Sequence, residues 1–327
     1  MPSDSEMDVT YFLGIDTSNY TTSCSAVSES GEIVFNSKLP LPVREGERGL
    51  RQSDAVFHHV KNLPQSAEVM KSFIGGERIA AVGCSFYPRD NEGSYMPCFL
   101  AGVSAASMTS CVLGVPLYRF SHQTGHVMAA YASAFGKSEY TGERFVAFHV
   151  SGGTTDVLLT EPDDEKILKI TKLGGTRDIN AGQAIDRTGV LMGLSFPCGA
   201  EMDRAALTFD GRLPSAKISV HGTECDLSGL ENKAAALYEK SGSVSETSAF
   251  VLDFVARTLE QLTKNVLAEV GELPVVYAGG VMSSEYVKKT LSRYGVFAKP
   301  EFSSDNAAGT ALLTREKHIR MSGGKIQ

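Results

Sequence analysis

The sequence predicts an α/β protein of two related lobes, each opening on a β-meander and flanked by helices. Three observations carry that expectation. Short β-rich apolar runs alternate with longer stretches of helical periodicity along the whole chain. A strand, a Ser/Thr/Gly turn and a second strand occur at the start and return about 130 residues later, as a diverged duplication would leave them. Small polar turns close three of the strands: Asp16-Thr-Ser18, Ser151-Gly-Gly-Thr-Thr155 and Gly279-Gly280.

The elements follow in order. Val9-Thr-Tyr-Phe-Leu-Gly-Ile-Asp16 is rich in β-branched and aromatic residues and ends in a carboxylate. A polar turn at 17–22 leads to a strand at 23–27, and Ser30-Gly31 turns the chain into Glu32-Ile-Val-Phe35. Residues 53–74 read as an amphipathic helix, 79–85 as a buried strand, and 98–113 as an apolar helix rich in Ala, Ser and Val. A strand at 115–120 precedes a helix at 122–135. The pattern then restarts with strands at 145–150, 156–160 and 166–170. Helices are expected near 181–193, 200–208, 232–240 and 245–270. A buried strand at 274–278 and a helix at 284–294 follow. A final helix is expected at about 306–319, with Asp305-Asn306 as its N-cap. Residues 38–52 and 209–231 read as long irregular stretches. The expected lobes are 9–143, with the helix at 304–319 packing back on it, and 144–303.

Composition narrows the class. Hydrophobic content of 42% and charged content of 21% over 327 residues are ordinary for a soluble globular chain. No apolar run reaches the roughly 18 residues that span a bilayer, so no membrane association is expected. The start, Met1-Pro-Ser-Asp-Ser-Glu-Met-Asp8, has neither the basic end nor the apolar core of a signal peptide, which points to a cytoplasmic protein. Cysteines 24, 84, 98, 111, 198 and 225 form no C-x-x-C pair, against a zinc ribbon or disulfide framework. A net charge of −7 makes the chain a poor stand-alone nucleic-acid binder.

His122 and His126 stand at i and i+4 at the start of a helix, on one face and close enough to share a metal ion. Such a pair also serves in many helices as a cap or as solvated polar groups, so a metal needs a third ligand from elsewhere. The segment is not H-E-x-x-H: Gln123 stands where a zincin carries its general base, which argues against a metallopeptidase. The glycine turns let backbone N–H groups approach a phosphate, and their Ser and Thr add hydroxyl donors. None is a Walker loop or G-x-G-x-x-G. Three such turns in two echoing lobes imply a nucleotide in a central cleft, in the manner of actin-like and sugar-kinase-like ATPases.

An ordered series of motifs resembles the TsaD-like threonylcarbamoyltransferases of tRNA modification, the former glycoprotease or O-sialoglycoprotein endopeptidase family. Gly14-Ile-Asp-Thr-Ser18 is similar to the family's G-I-E-T-S. His122, Gly125 and His126 match H-x-x-G-H, and Val150-Ser-Gly-Gly-Thr-Thr155 resembles V-S-G-G-H/N-T. Asp178–Arg187 and Gly193–Gly199 resemble D-x-A-G-E-A-F-D-K and G-L-x-Y-P-G-G-P. Gly279–Ser284 resembles G-G-V-x-x-N, and Ser304–Ala308 matches x-D-N-A-A. The resemblance implies one metal, iron or zinc, on His122, His126 and Asp305. It also implies adenine-nucleotide contacts (ATP, ADP or threonylcarbamoyl-adenylate) from Ser151, Gly152, Gly153, Thr154, Thr155, Asp186, Gly199, Asp203, Gly279, Gly280 and Ser284. The implied reaction is threonylcarbamoyl transfer from the adenylate to the N6 amine of the anticodon-adjacent adenosine of tRNA. The metal would act as Lewis acid and template. The implied partners are tRNA, a paralogous TsaB-like subunit and a TsaE-like ATPase. Arg44, Arg48 and Arg51 offer a local basic cluster whose plainer reading is a solvated loop.

Several positions depart from the family pattern. Asn19-Tyr20-Thr21-Thr22 stands where the family has Cys-Asp-Glu-Thr, so two carboxylates are gone. Ser85-Phe-Tyr-Pro-Arg-Asp-Asn-Glu-Gly93 replaces a T-x-G-P-G loop. Gln183, Cys198 and Ser284 replace Glu, Gly and Asn. These changes fit a diverged paralogue, a regulator or assembly subunit that binds metal and nucleotide, as well as they fit a working synthase.

Overall fold

The computed structural model describes residues 9–18, 20–42, 50–75, 77–303 and 305–323. In chain order its elements are β1 (Thr10–Asp16), β2 (Thr21–Ser28), β3 (Ile33–Pro40), α1 (Gln52–Ile74), β4 (Arg78–Tyr87), α2 (Phe99–Leu113), β5 (Leu117–Ser121) and α3 (His122–Phe135). Then come β6 (Phe145–Val150), β7 (Thr155–Asp163), β8 (Ile167–Thr176), α4 (Ala181–Leu191), α5 (Gly199–Leu207), β9 (Ser219–His221), β10 (Glu224–Asp226), α6 (Gly229–Ser241) and α7 (Val244–Val270). The series ends with β11 (Val275–Ala278), α8 (Glu285–Leu291), β12 (Val296–Phe297) and α9 (Ala308–Met321).

The chain divides into two units. The first comprises Met1–Glu143, Pro162–Lys169 and Ser304–Gln327; the second comprises Arg144–Glu161 and Ile170–Ser303. Among the described residues the first sheet has the order β3-β2-β1-β4-β5. Its first three strands run antiparallel, and β4 and β5 add in parallel. The second sheet, β12-β11-β6-β7-β8-β10-β9, repeats that order: β8, β7, β6, β11 and β12 take the places of β3, β2, β1, β4 and β5. β6 pairs antiparallel with β7 and parallel with β11, as β1 does with β2 and β4. Both sheets thus grow from a meander whose first strand accepts a parallel crossover, which needs an intervening helix.

The centre of each unit follows from its side chains. β1 is buried along its whole length because helices cover both its faces. Tyr11, Leu13 and Ile15 join Val82 and Ala106 on one side; Phe12 and Ala81 lie on the other, with Phe12 5.5 Å from the His318 ring of α9. In the second unit Val146, Phe148 and Tyr277 pack on Phe250 and Phe254 of α7.

On its far side the first sheet carries α9, which lies on β1, β4 and α3. A Cβ on Gly14 of β1 would meet Ala307 O and Ala311 N at 2.5 Å, and one on Gly309 would lie 1.8 Å from Gly125 O of α3. Helix backbones approach this closely only where side chains are missing.

Three expectations are corrected. The last helix begins at Ala308, two residues later than expected, with Ala307 rather than Asp305-Asn306 at the N-cap position. Asn306 turns its Oδ1 to the Ala308 N–H, so it still serves the helix start from one step further out. The stretch 209–231 is not wholly irregular: β9 and β10 form a short hairpin, and β10 pairs in parallel with β8. Strands of three residues carry too little alternation to be read from sequence. The helix expected at 284–294 stops at Leu291. Among the described residues no helix is long and apolar enough to cross a membrane.

Two outcomes follow from the packing. Gly309→Ala should destabilise the protein by about 1–3 kcal/mol, the usual range for an overpacked contact. Gly229→Ala, where only the mobile Lys233 Nζ lies within reach, should be neutral or slightly stabilising. Urea unfolding of both variants checks this. The second concerns His59 of α1, which is buried with Nδ1 2.8 Å from Thr22 Oγ1. Burial pushes its imidazole down to about 4, although ionised Asp16 pulls the other way. The unfolded chain therefore takes up a proton that the fold refuses. Stability is present above the ordinary value of 6.5 and is lost as pH falls towards 4. His59→Gln should flatten that slope in unfolding curves recorded across the same window.

Candidate functional site

The start of α3 is fixed before any ligand is considered. Ser121 is its N-cap, its Oγ accepting the Thr124 N–H at 3.1 Å. The hydroxyls of Ser121 and Thr124 in turn donate to Asp90 Oδ2 at 3.0 and 2.9 Å. Gln123 N–H donates to Pro88 O, so the loop that follows β4 clasps the first turn of the helix. His122 is the first residue of α3, and His126 lies one turn on, 9% exposed.

Three donors converge here, all within the first unit. Nε2 of His126 is 2.9 Å from Nε2 of His122 and 3.0 Å from Asp305 Oδ1; His122 Nε2 is 3.6 Å from the same oxygen. Two imidazole nitrogens facing each other at such a distance need a proton or a cation between them. With ligand bonds of about 2.0–2.2 Å, neighbouring donors in tetrahedral or octahedral sites lie about 2.8–3.6 Å apart. The observed separations fall about that range, and two imidazoles with one carboxylate suit a first-row divalent ion with positions left open. The residues present therefore fit a metal.

The electrostatics concentrate on the same groups. Burial works against a charge on Asp16, but the His122 imidazole outweighs it and holds the carboxyl at about 2. Burial likewise opposes a charge on His122, yet Asp16 and then Asp305 raise the ring to about 10. Asp305, against its own burial, is held well below the carboxylate range by both imidazoles.

The turn Asp16-Thr-Ser18 is not an open phosphate loop. Thr17 and Ser18 are buried, and Thr17 Oγ1 donates to Cys98 O while accepting the Gly102 N–H at 3.0 Å. Asp16 Oδ2 instead lies 2.8 Å from His122 Nδ1. Asp16, Ser85 and Asp90 were thus missed as site residues. A carboxylate closing the first strand was the available signal for Asp16; for the other two, sequence offers none.

All the nucleotide candidates lie in the second unit. Ser151 Oγ accepts the N–H groups of Gly153 and Thr154, curling the turn at the end of β6. The start of α4 abuts it: Gly182 N–H donates to Ser151 O and Ala181 N–H to Thr155 Oγ1. Gly152 and Gly153 are exposed. Gly279, at φ +104°, lies so close to Val150 that a Cβ would sit 2.2 Å from its carbonyl oxygen, and Gly280 follows, exposed. Asp186 of α4 accepts the Cys198 N–H just before Gly199; burial raises its pKa against that bond. Asp203 of α5 is engaged by Ser284 Oγ and by the N–H groups of Glu285 and Tyr286, both at 3.1 Å, so it caps α8. Of the arginine cluster, Arg44 and Arg48 lie outside the described residues, and Arg51 directly precedes α1.

Two sheets of like strand order, each opening on a meander, define an actin-like and sugar-kinase-like ATPase fold. Solved structures agree. HypF from T. kodakarensis superposes with a TM-score of 0.59 at 11% identity, covering 97% of this chain and 48% of that one. A ROK family glucokinase from Streptomyces griseus gives 0.50 at 13%, covering 94% and 99%. The family model for tRNA N6-adenosine threonylcarbamoyltransferase, TsaD, matches residues 55–312. The enzyme of that name from Thermosipho africanus is 31% identical over 324 residues, 92% of each chain. The chain belongs to the TsaD family.

The capping geometry separates architecture from ligand binding at one position. Asp203→Ala should destabilise ligand-free protein by about 0.5–2 kcal/mol, the range for a lost helix cap. Thermal unfolding without nucleotide checks this.

Proposed function

We propose that the chain transfers a threonylcarbamoyl group from threonylcarbamoyl-adenylate to the N6 amine of the adenosine beside the anticodon of tRNA. Family membership supports this chemistry, and the observation that carries it to this chain is the convergence of His122, His126 and Asp305. These three side chains would hold one divalent ion, iron or zinc. When bound, that ion supplies Lewis-acid polarisation of the acyl carbonyl and a template for the adenylate.

The remaining work falls to the chain itself. The bare backbone of Gly152 and Gly153, exposed in the 151–155 turn, lets an anionic phosphate approach closely. Asp186, half-buried with one oxygen on the Cys198 N–H, retains acceptor capacity for a ribose hydroxyl. Gly199 and Gly280, with open space where a Cβ would stand, leave room for a nucleotide against the backbone, and Gly279 seats that turn on Val150. Asp203 and Ser284 act together by holding the start of α8. With a net charge of −7, productive tRNA binding would depend on partners, a TsaB-like subunit and a TsaE-like ATPase in this reading.

A second reading, a metal- and nucleotide-binding paralogue without transferase activity, is favoured by one observation. The first turn offers Tyr20 and Thr21 in place of two acids, and Thr21 opens β2 opposite Pro40. One experiment separates the two. Purified chain is incubated with partners, tRNA and the adenylate donor, and modified adenosine is measured by mass spectrometry. Product from the wild type, with loss of both product and bound metal in Asp305→Ala, is expected for the transferase. No wild-type product, with activity in Tyr20→Asp/Thr21→Glu, is the result the paralogue requires.

A further inference from the structure

We propose that Asp16 is a positioning residue for the His122, His126 and Asp305 centre, accepting the Nδ1 proton of His122 and so directing the Nε2 lone pair at the other two donors. The proposal rests on the metal reading above but concerns a residue outside the ligand set.

The geometry is specific. Asp16 Oδ2 lies 2.8 Å from His122 Nδ1, on the side of the ring opposite the nitrogen that faces His126. An ionised carboxylate only accepts hydrogen bonds, and an imidazole that ligates a metal through one nitrogen is neutral and carries its one proton on the other. Facing Asp16, that proton sits on Nδ1, and Nε2 is left unprotonated. Without the carboxylate the Nδ1 proton loses its acceptor, and the ring loses that restraint on its tautomer and on rotation about the Cβ–Cγ bond.

Asp16 is itself immobilised. It closes the central strand β1, in register with Ser23 of β2, and its side chain is 1% exposed. Oδ1 accepts the Ser18 N–H at 2.8 Å, and Oδ2 accepts the Ser85 hydroxyl from β4. Three of its acceptor sites are thus taken up by a backbone amide, a hydroxyl and the imidazole. A buried acid with these partners is ill-suited to hold a phosphate in the manner of the other polar turns, because like charges repel. On the other face of α3, Asp90 holds the helix start through Ser121 and Thr124. Asp16 sets the ring; Asp90 sets the helix that carries it.

The test uses chelator-stripped full-length protein titrated with Zn(II) against a chromophoric competitor. Wild type, Asp16→Asn, Asp16→Ala, Ser85→Ala and Asp305→Ala are compared. Loss of an outer partner of a metal-bound histidine typically lowers affinity about 10–100-fold. That loss is expected for the Asp16 variants, with a smaller one for Ser85→Ala, which removes a support while keeping the charge. In parallel, two-bond 1H–15N correlation spectra of histidine-labelled, zinc-loaded wild type should show His122 protonated at Nδ1. This readout needs no variant to fold. Asp16 variants within twofold of wild type while Asp305→Ala loses zinc would overturn the assignment, as would a His122 proton on Nε2. Wild type that takes up no zinc would overturn the metal reading itself, and this assignment with it.

Discussion

The first unit depends on the close crossing of α3 and α9. The two helices touch through Gly125 and Gly309, with Gly14 of β1 beneath the start of α9. Helices bearing ordinary side chains pack with axes about 8–10 Å apart; bare backbone at the contact permits less. His122 and His126 ride on one helix, and Asp305 lies just ahead of the other, 179 positions after His126. No local signal joins them. The carboxylate comes within 3.0 Å of an imidazole because nothing stands between the helices that would hold them apart.

Carboxylates elsewhere do a different job, and the contrast shows how function and architecture divide the same residue type. Asp90 receives the hydroxyls at the start of α3, Asp178 receives the N–H groups of Leu227 and Ser228 ahead of α6, and Asp203 receives those of Glu285 and Tyr286 at α8. Each braces a helix N-terminus from a distant segment, Asp178 and Asp203 through backbone donors and Asp90 through hydroxyls. Asp16 differs: only one of its partners is a backbone amide, and one is an imidazole. A motif match alone would class Asp16 and Asp203 together as ligand-side acids, and their hydrogen bonds separate them.

Much of the fold was legible because long periodic segments declare themselves. Helices α1, α2, α3 and α7 lie within two residues of the expected positions, and both meanders stand where the repeated strand, turn and strand placed them. What escaped was decided by tertiary pairing. β9 and β10 exist because β8 offers an edge to β10. The last helix starts at Ala308 although Asp305-Asn306 carries the better capping chemistry. The imidazole pair and Asp305 could be nominated from spacing and from motif order. The role of Asp16 could not, since its partner lies 106 positions away and its neighbours made it look like part of an open turn.

The fate of α9 bears on how the polypeptide matures. This helix covers β1 and β4, yet it is encoded after the whole of the second unit. At about 5–20 residues per second of synthesis, the 144–303 segment occupies the ribosome for roughly 8–32 s after residue 143 is made. Throughout that interval the first sheet lacks the helix that lies on β1 and β4 and packs on Phe12 in the finished fold. The nascent chain must be shielded there or remain loose, so the first unit cannot reach its final state before the second has been translated.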